Sequence, residues 1–266
     1  VTSAPLEVLV GAASDVGHRR QRNEDGVLAE GSVFVVADGM GGHAAGDVAS
    51  RLVVDAFREL APRDDLRAAD VLAALRTANA QMLQSSAKHP EQSGMGTTAT
   101  GLVVVRAGGQ PHWAVFNVGD SRVYQYVDGE LRQVSVDHSE VQELLDAGEL
   151  TAEEARAYPR RNIVTRSLGH DPMPQVDLWV VPQQPGERFV ICSDGLTDEV
   201  EDTVIADVMA ADDPPQRTAE RLVEAALSAG GRDNVTAIVV ALSRGGGVSD
   251  VDEDTSPRQQ LAGAGG

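Results

Sequence analysis

The chain has 266 residues, 42% of them hydrophobic, which is enough for a packed core and argues against wholesale disorder. Lysine and arginine number 22 against 41 aspartates and glutamates, a formal net charge of -19, and aromatic residues make up only 3%. The charge argues against a phosphate-gripping basic surface and aromatics for a base-stacking platform are scarce, so no nucleic-acid partner is expected, and a single cysteine, Cys192, rules out an internal disulfide or a multi-cysteine metal knuckle.

In chain order, Ser32 to Ala37 (SVFVVA) predicts a buried strand from its run of β-branched and aromatic residues. Helical spacing follows over Ala44 to Leu60 (Val48, Leu52, Val53, Ala56, Leu60) and over Leu66 to Ser86 (Val71, Leu72, Leu75, Ala78, Met82). Strands are predicted at Thr98 to Arg106, His112 to Val118, Arg122 to Val127 and Leu131 to Val134, then a helix at Glu140 to Ala147 and a polar stretch to Asn162. Val176 to Val181 and Arg188 to Cys192 predict strands, Thr203 to Ala211 and Gln216 to Ala229 helices, and Val235 to Leu242 the last strand. The middle strands stand too close together for crossover helices, so they pair antiparallel. Two antiparallel sheets covered by helix pairs from either end of the chain make an α-β-β-α layered, α+β fold.

The longest apolar runs are strand-length, far below the ~20 residues of a membrane-crossing helix. Glu7 interrupts the first apolar patch and no basic segment precedes it, so a signal peptide is not expected and a cytoplasmic protein is. Arg244 to Gly266, with Gly245-Gly246-Gly247 and four acids, reads as a flexible acidic tail outside a domain spanning residues 1–243.

Four aspartates fall at strand ends: Asp38 closes SVFVVA, Asp120 follows Asn117-Val118-Gly119, Asp194 follows Phe189 to Ser193, and Asp233 precedes Val235. Asp-Gly is a common hairpin turn, and Asp128-Gly129, flanked by two alternating segments, is read as that. Asp38-Gly39 and Asp194-Gly195 run into helical or loop sequence, so the hairpin account fails there. Carboxylates delivered to one place repel unless cations compensate them, and hard divalent ions suit an all-oxygen site. Gly39 to Ala44 matches G-x-G-x-x-A, but the acid that should end a second parallel strand is missing, because Asp55 and Glu59 lie in a helix. No phosphate-binding P-loop, H-E-x-x-H or G-x-S-x-G motif is present. Cys192, in an apolar strand, reads as core.

Seven segments in order carry a resemblance: Gly17-His18-Arg19-Arg20-Gln21-Arg22-Asn23-Glu24-Asp25, Val36 to His43, Gly96-Thr97-Thr98, Asn117 to Arg122, Asp137-His138-Ser139, Ser193 to Asp198, and Gly231-Arg232-Asp233-Asn234. From about Gly11 to Leu242 the chain resembles the bacterial metal-dependent Ser/Thr protein phosphatases of type 2C. The resemblance implies a four-layer sandwich with a two-metal centre, Mg²⁺ or Mn²⁺, at one end, and a flap over about 139–161. It implies that Asp38 bridges the ions, that the Gly39 carbonyl, Asp194 and Asp233 complete one site, and that Glu24 reaches the other. Asp25 and Asp198 correspond to outer carboxylates that hold metal-bound waters, Arg20 to a phosphate clamp, and Asp120, with Asp194, to a third ion. The implied activity is hydrolysis of phosphoserine and phosphothreonine on proteins by metal-activated hydroxide, reversing Ser/Thr kinase signalling, by a monomer whose partners are phosphoproteins and Ser/Thr kinases. Animal members place a general-acid histidine directly after the Asp-Gly, where this chain has Met40; His43 is the nearest substitute and also reads as a helix-start residue. A non-catalytic phosphoprotein-binding scaffold is the rival reading, disfavoured because Glu24, Asp38, Asp194 and Asp233 are all present.

Overall fold

Strands that are apolar at successive positions must be covered on both faces, and the architecture does this. The computed structural model describes residues 6–41 and 45–244. Its strands are β1 (Leu6–Asp15), β2 (Asp25–Glu30), β3 (Val33–Met40), β4 (Gly96–Thr97), β5 (Ala99–Ala107), β6 (Gln110–Val118), β7 (Arg122–Val127), β8 (Glu130–Gln133), β9 (Asp177–Pro182), β10 (Arg188–Cys192) and β11 (Val235–Arg244). The helices are α1 (Gly46–Arg58), α2 (Ala68–Lys88), α3 (Glu140–Asp146), α4 (Ala152–Arg156), α5 (Asp194–Thr197), α6 (Asp202–Ala210) and α7 (Pro215–Ala229). One sheet runs β1-β11-β10-β7-β8 and the other β2-β3-β5-β6-β9, with β4 paired to β3. Every pairing is antiparallel, as the short spacing between the middle strands requires.

The side-chain alternation of the strands sorts the core into three layers. Val33, Val35 and Ala37 of β3 meet Val53, Phe57, Leu75 and Met82 of α1 and α2. Val190 and Cys192 of β10, with Ala237 and Val239 of β11, meet Ile205, Leu222 and Ala226 of α6 and α7. The opposite faces of the same strands, Phe34 and Val36 against Phe189, Ile191, Ile238 and Val240, close the space between the sheets. Trp113 lies fully buried in that middle layer, edge-on to Phe34 and Phe189 at 6.5 and 5.5 Å between ring centres. Its indole N–H donates to Glu187 Oε1 at 2.6 Å, and Gln125 donates to Glu187 Oε2 at 2.7 Å. A buried carboxylate without a cation is thus held by neutral donors, at the end of β10 away from Asp194.

Asp128-Gly129 is the β7–β8 turn, both residues at positive φ (53° and 84°), the backbone of a tight two-residue hairpin. Asp38-Gly39 is no turn and no strand end either: β3 continues to Met40, with Gly39 opposite Thr97 of β4. A Cβ on Gly39 would lie 2.2 Å from the Gly46 carbonyl oxygen, so glycine is what lets the start of α1 sit on this strand. The polar stretch after α3 contains α4, and β1 and β2 precede the first predicted strand. The proposed tail lies outside the described residues apart from Arg244, which ends β11. Among the described residues no helix is long and apolar enough to cross a membrane.

Candidate metal centre

One end of the sandwich gathers the predicted acids because four strands and one turn terminate or begin there. Asp38 lies on β3 directly across from Asp25, the first residue of β2. Asp194 starts α5 right after β10, Asp233 stands just before β11, and Asp120 occupies the turn between β6 and β7. The backbone of Asp38 is fixed on both sides. Its N–H donates to Thr98 Oγ1 (2.9 Å), and its carbonyl accepts from the Thr98 N–H (2.9 Å) and the Thr97 hydroxyl (2.8 Å). Thr98 Oγ1 also bonds Ser121 Oγ at 2.8 Å, which couples Asp38 to the turn carrying Asp120. Across the site, Asn234 accepts from the Glu24 N–H (2.8 Å) and donates to the carbonyls of Val16 and Arg22 (2.9 Å each). That single side chain ties the 16–24 loop to the start of β11.

Arg20 Nη2 donates to Asp233 Oδ2 at 2.6 Å, with its side chain half exposed. Asp198 stands one turn after Asp194, and the segment after α4 takes both its oxygens: Arg161 donates to Oδ1 (2.6 Å) and Asn162 to Oδ2 (2.8 Å). Beside it a cavity of about 780 Å³ runs between α3–α4 and the α5–α6 segment, from Val141 and Ala155 to Asp120 and Asp194. Arg122 forks onto Asp137 through Nε and Nη2 at 2.7–3.0 Å, at the foot of this cavity.

The acids disturb one another strongly. Burial first, then the charges of Asp25, Asp194, Asp120 and Asp233, hold the Asp38 carboxyl well above the usual carboxylate range. Asp194 is raised in the same way, by burial and then by Asp120, Asp198 and Asp233. Burial pushes Asp25 up to about 6 against the pull of the Thr236 and Ser193 hydroxyls, and burial with Asp137 pushes Asp120 up to about 7. Glu24 is raised by burial and by Asp47, with Arg20 opposing. One oxygen of Asp25, Oδ1, is buried with no hydrogen-bond partner.

Among the described residues no three histidine, cysteine, aspartate or glutamate side chains stand in ready ligating geometry. The fit to divalent ions rests instead on the donors' chemistry. They are all oxygen, no cationic side chain is paired with Asp25, Asp38 or Asp194 among the described residues, and one buried carboxylate oxygen lacks a donor. Cys192 is buried, with its thiol pushed up to about 12, so it is core and not a nucleophile. His43 lies outside the described residues; Met40 follows Gly39 at the end of β3. Asn234, Thr98, Ser193 and Thr236 are the working residues to which sequence reasoning gave no role, although three of the four lie inside the motifs singled out. For Asn234 and Ser193 the signal was adjacency to Asp233 and Asp194; Thr98 and Thr236 carried none of that kind.

The family model for protein phosphatase 2C matches residues 17–228. The chain belongs to the protein phosphatase 2C family. That match holds every predicted site residue except Asp233, five residues beyond its end. Among 2C phosphatases, the serine/threonine protein phosphatase PstP of Mycobacterium tuberculosis is 41% identical over 233 residues; the match covers 86% of this chain and 44% of PstP, so the chain spans a little under half of that relative. The serine/threonine phosphatase Stp of Listeria welshimeri is 38% identical, with 85% of this chain and 93% of Stp covered. A crystal structure of PstP superposes with a TM-score of 0.83 at 39% identity, covering 89% of this chain and 99% of that one. Another, of the PstP catalytic domain in complex with two manganese ions, superposes with a TM-score of 0.80 at 38% identity over 90% of this chain and all of that one.

Proposed function

We propose that this chain is a Mg²⁺- or Mn²⁺-dependent phosphatase of phosphoserine and phosphothreonine in proteins, acting as a monomer to reverse Ser/Thr kinase signalling. The convergence of Asp25, Asp38, Asp194 and Asp233 at one end of the sandwich, with the carboxyls of Asp25, Asp38 and Asp194 raised by burial and by neighbouring acids, carries this reading. Asp38, Asp194, Asp233 and the Gly39 carbonyl are the proposed ligands of one ion, Glu24 with Asp38 those of the second, and Asp120 with Asp194 those of a third. Bound there, the ions would neutralise phosphate charge and supply hydroxide at neutral pH for in-line attack. The two manganese ions of the PstP catalytic domain support this assignment.

Arg20 is the proposed phosphate clamp. Its guanidinium stays charged, raised further by the Asp233 hydrogen bond, and can present two parallel N–H donors to non-bridging oxygens. Leaving Asp233 for the phosphate would exchange one anion for another at little electrostatic cost. Asp25 and Asp198 are proposed as outer carboxylates, Asp198 also tethering the flap through Arg161 and Asn162. The tests are hydrolysis of p-nitrophenyl phosphate and of a phosphothreonine peptide, each with Mn²⁺ and with EDTA, on wild type and Asp38→Ala. Activity with Mn²⁺, abolished by EDTA and by the substitution, is expected. Activity that survives both would overturn the proposal, and phosphopeptide binding without turnover would favour the scaffold reading.

A further inference from the structure

Asp25 is held by an unusual set of bonds. Its Oδ2 accepts from Ser193 Oγ at 2.8 Å and from Thr236 Oγ1 at 2.7 Å, while Oδ1 is buried and unpartnered. Ser193 and Thr236 are both fully buried. The protons of this network have only one consistent direction. A carboxylate oxygen accepts, so both hydroxyls spend their single proton on Asp25. Ser193 Oγ accepts in turn from the Thr236 N–H at 3.0 Å. Thr236 Oγ1 lies 2.7 Å from Ser14 Oγ, and with its own proton committed it must accept there, so Ser14 donates. Ser14 Oγ then accepts from Asn23 Nδ2 at 2.8 Å. Every hydrogen from Asn23, Ser14, Thr236 and Ser193 thus points toward one oxygen of one carboxylate.

These residues belong to both sheets. Ser14 and Thr236 face each other on β1 and β11, Ser193 follows β10, and Asp25 opens β2 directly across from Asp38. The network therefore joins the two sheets at the end where the acids gather, and sets the rotation of the Asp25 carboxyl relative to Asp38. With Oδ2 saturated, Oδ1 is the oxygen left for whatever the centre binds.

We infer that Ser193 and Thr236 are positioning residues, whose hydroxyls lock Oδ2 of Asp25 so that Oδ1 is presented to the metal centre. This rests on the metal-dependent reading above. The experiment compares wild type with Ser193→Ala, Thr236→Val and Thr236→Ser, using calorimetric titration with Mn²⁺ and steady-state kinetics on a phosphothreonine peptide. Outer partners of metal ligands typically carry at least tenfold in metal affinity or activity, and Ser193 and Thr236 act one step further out, through the outer carboxylate Asp25, so a factor of up to about ten is expected. Ser193→Ala and Thr236→Val should each weaken Mn²⁺ binding and lower kcat by about that factor while leaving KM for the peptide near wild type. Thr236→Ser, which keeps the hydroxyl, should restore both.

Folded Ser193→Ala and Thr236→Val proteins with wild-type Mn²⁺ affinity and kcat would overturn the inference, as would a Thr236→Ser protein no better than Thr236→Val. If Thr236→Val fails to fold, Ser193→Ala removes a single hydroxyl with no branched replacement and decides alone. Wild type that binds no Mn²⁺ would instead count against the metal-dependent reading itself.

Discussion

Arg20 and Asp233 share one hydrogen bond of 2.6 Å, yet the two are assigned opposite partners, phosphate and metal. Replacing Arg20 by alanine should therefore split the two functions. A hydrogen bond to a charged group is worth about 1.5–3 kcal/mol, or roughly ten- to hundredfold, so KM for a phosphopeptide should rise by that factor. Mn²⁺ affinity, measured by calorimetry, should hold or tighten, because Asp233 is released; weaker Mn²⁺ binding would contradict the assignment. The raised carboxyls make a second prediction. Asp25 at about 6 and Asp120 at about 7 keep protons in the fold that the unfolded chain gives up near 4. The metal-free fold is then favoured at low pH and loses stability as pH rises from about 4 through 7. His138, lowered by burial beside Asp177 and Arg166, acts against this only below about 6.5. In EDTA, Tm should fall between pH 5 and pH 8, and the Tm gained from Mn²⁺ should grow over the same window, since the ion competes with those protons. A flat or rising metal-free Tm would refute the account. Asp38 and Asp194 were legible in the sequence because their Asp-Gly steps lacked hairpin flanks, and Glu24, Asp25 and Asp198 through the family resemblance. The hydroxyls of Ser193, Thr236 and Thr98 were not, because a serine beside an aspartate is ordinary turn chemistry and a threonine among apolar residues is an ordinary strand residue, until the strands bring them together.

The helices α3 and α4 are fixed to the body more by polar ends than by apolar area. Ser139 caps α3 at the Gln142 N–H, and Thr151 and Glu154 form a capping box on α4, the sequence signal that marks this helix inside an apparently featureless stretch. Tyr158 and Arg160 both donate to Glu140, while Arg161 and Asn162 reach Asp198. Ala155 is the one buried residue of the two helices. Elements with so little buried area open locally at low cost. Amide exchange in α3 and α4 should be orders of magnitude faster than in β10 and β11, and Arg161→Ala should speed α4 further; α4 protection equal to that of β10 would contradict this. The predicted strands that appear most accurately, such as Arg188 to Cys192, are those with both faces covered. β1, half exposed along one sheet edge and rich in alanine and glycine, carries no alternation strong enough to be read. β2 opens on Asp25-Gly26, residues that favour turns, and its pairing with β3 makes it extended.

Over the whole molecule, the layers explain why so acidic a chain folds. Three apolar layers are sealed between helices and sheets, and the excess charge is left to the surface and to one end. The layer order was legible from strand spacing and helix placement alone; the meeting of acids at one end was legible only through the family resemblance, since on the residues alone it depends on which strands neighbour one another. The opposite end of β10 has its own buried anion, Glu187, satisfied by Trp113, Gln125 and the Gln184 N–H. Trp113→Phe would strip that anion of a donor and should cost about 1–3 kcal/mol in denaturant unfolding, whereas a loss below a few tenths would deny the bond its role. The same indole has a practical consequence. The chain has two tryptophans, and only Trp113 is sealed from water, Trp179 being half buried on the edge strand. Trp113 is thus a built-in fluorophore for the seam between the sheets. Its blue emission should persist while Mg²⁺ is titrated at the other end, and shift red only when the sheets part, so the colour of the light reports opening of the seam without interference from cation loading.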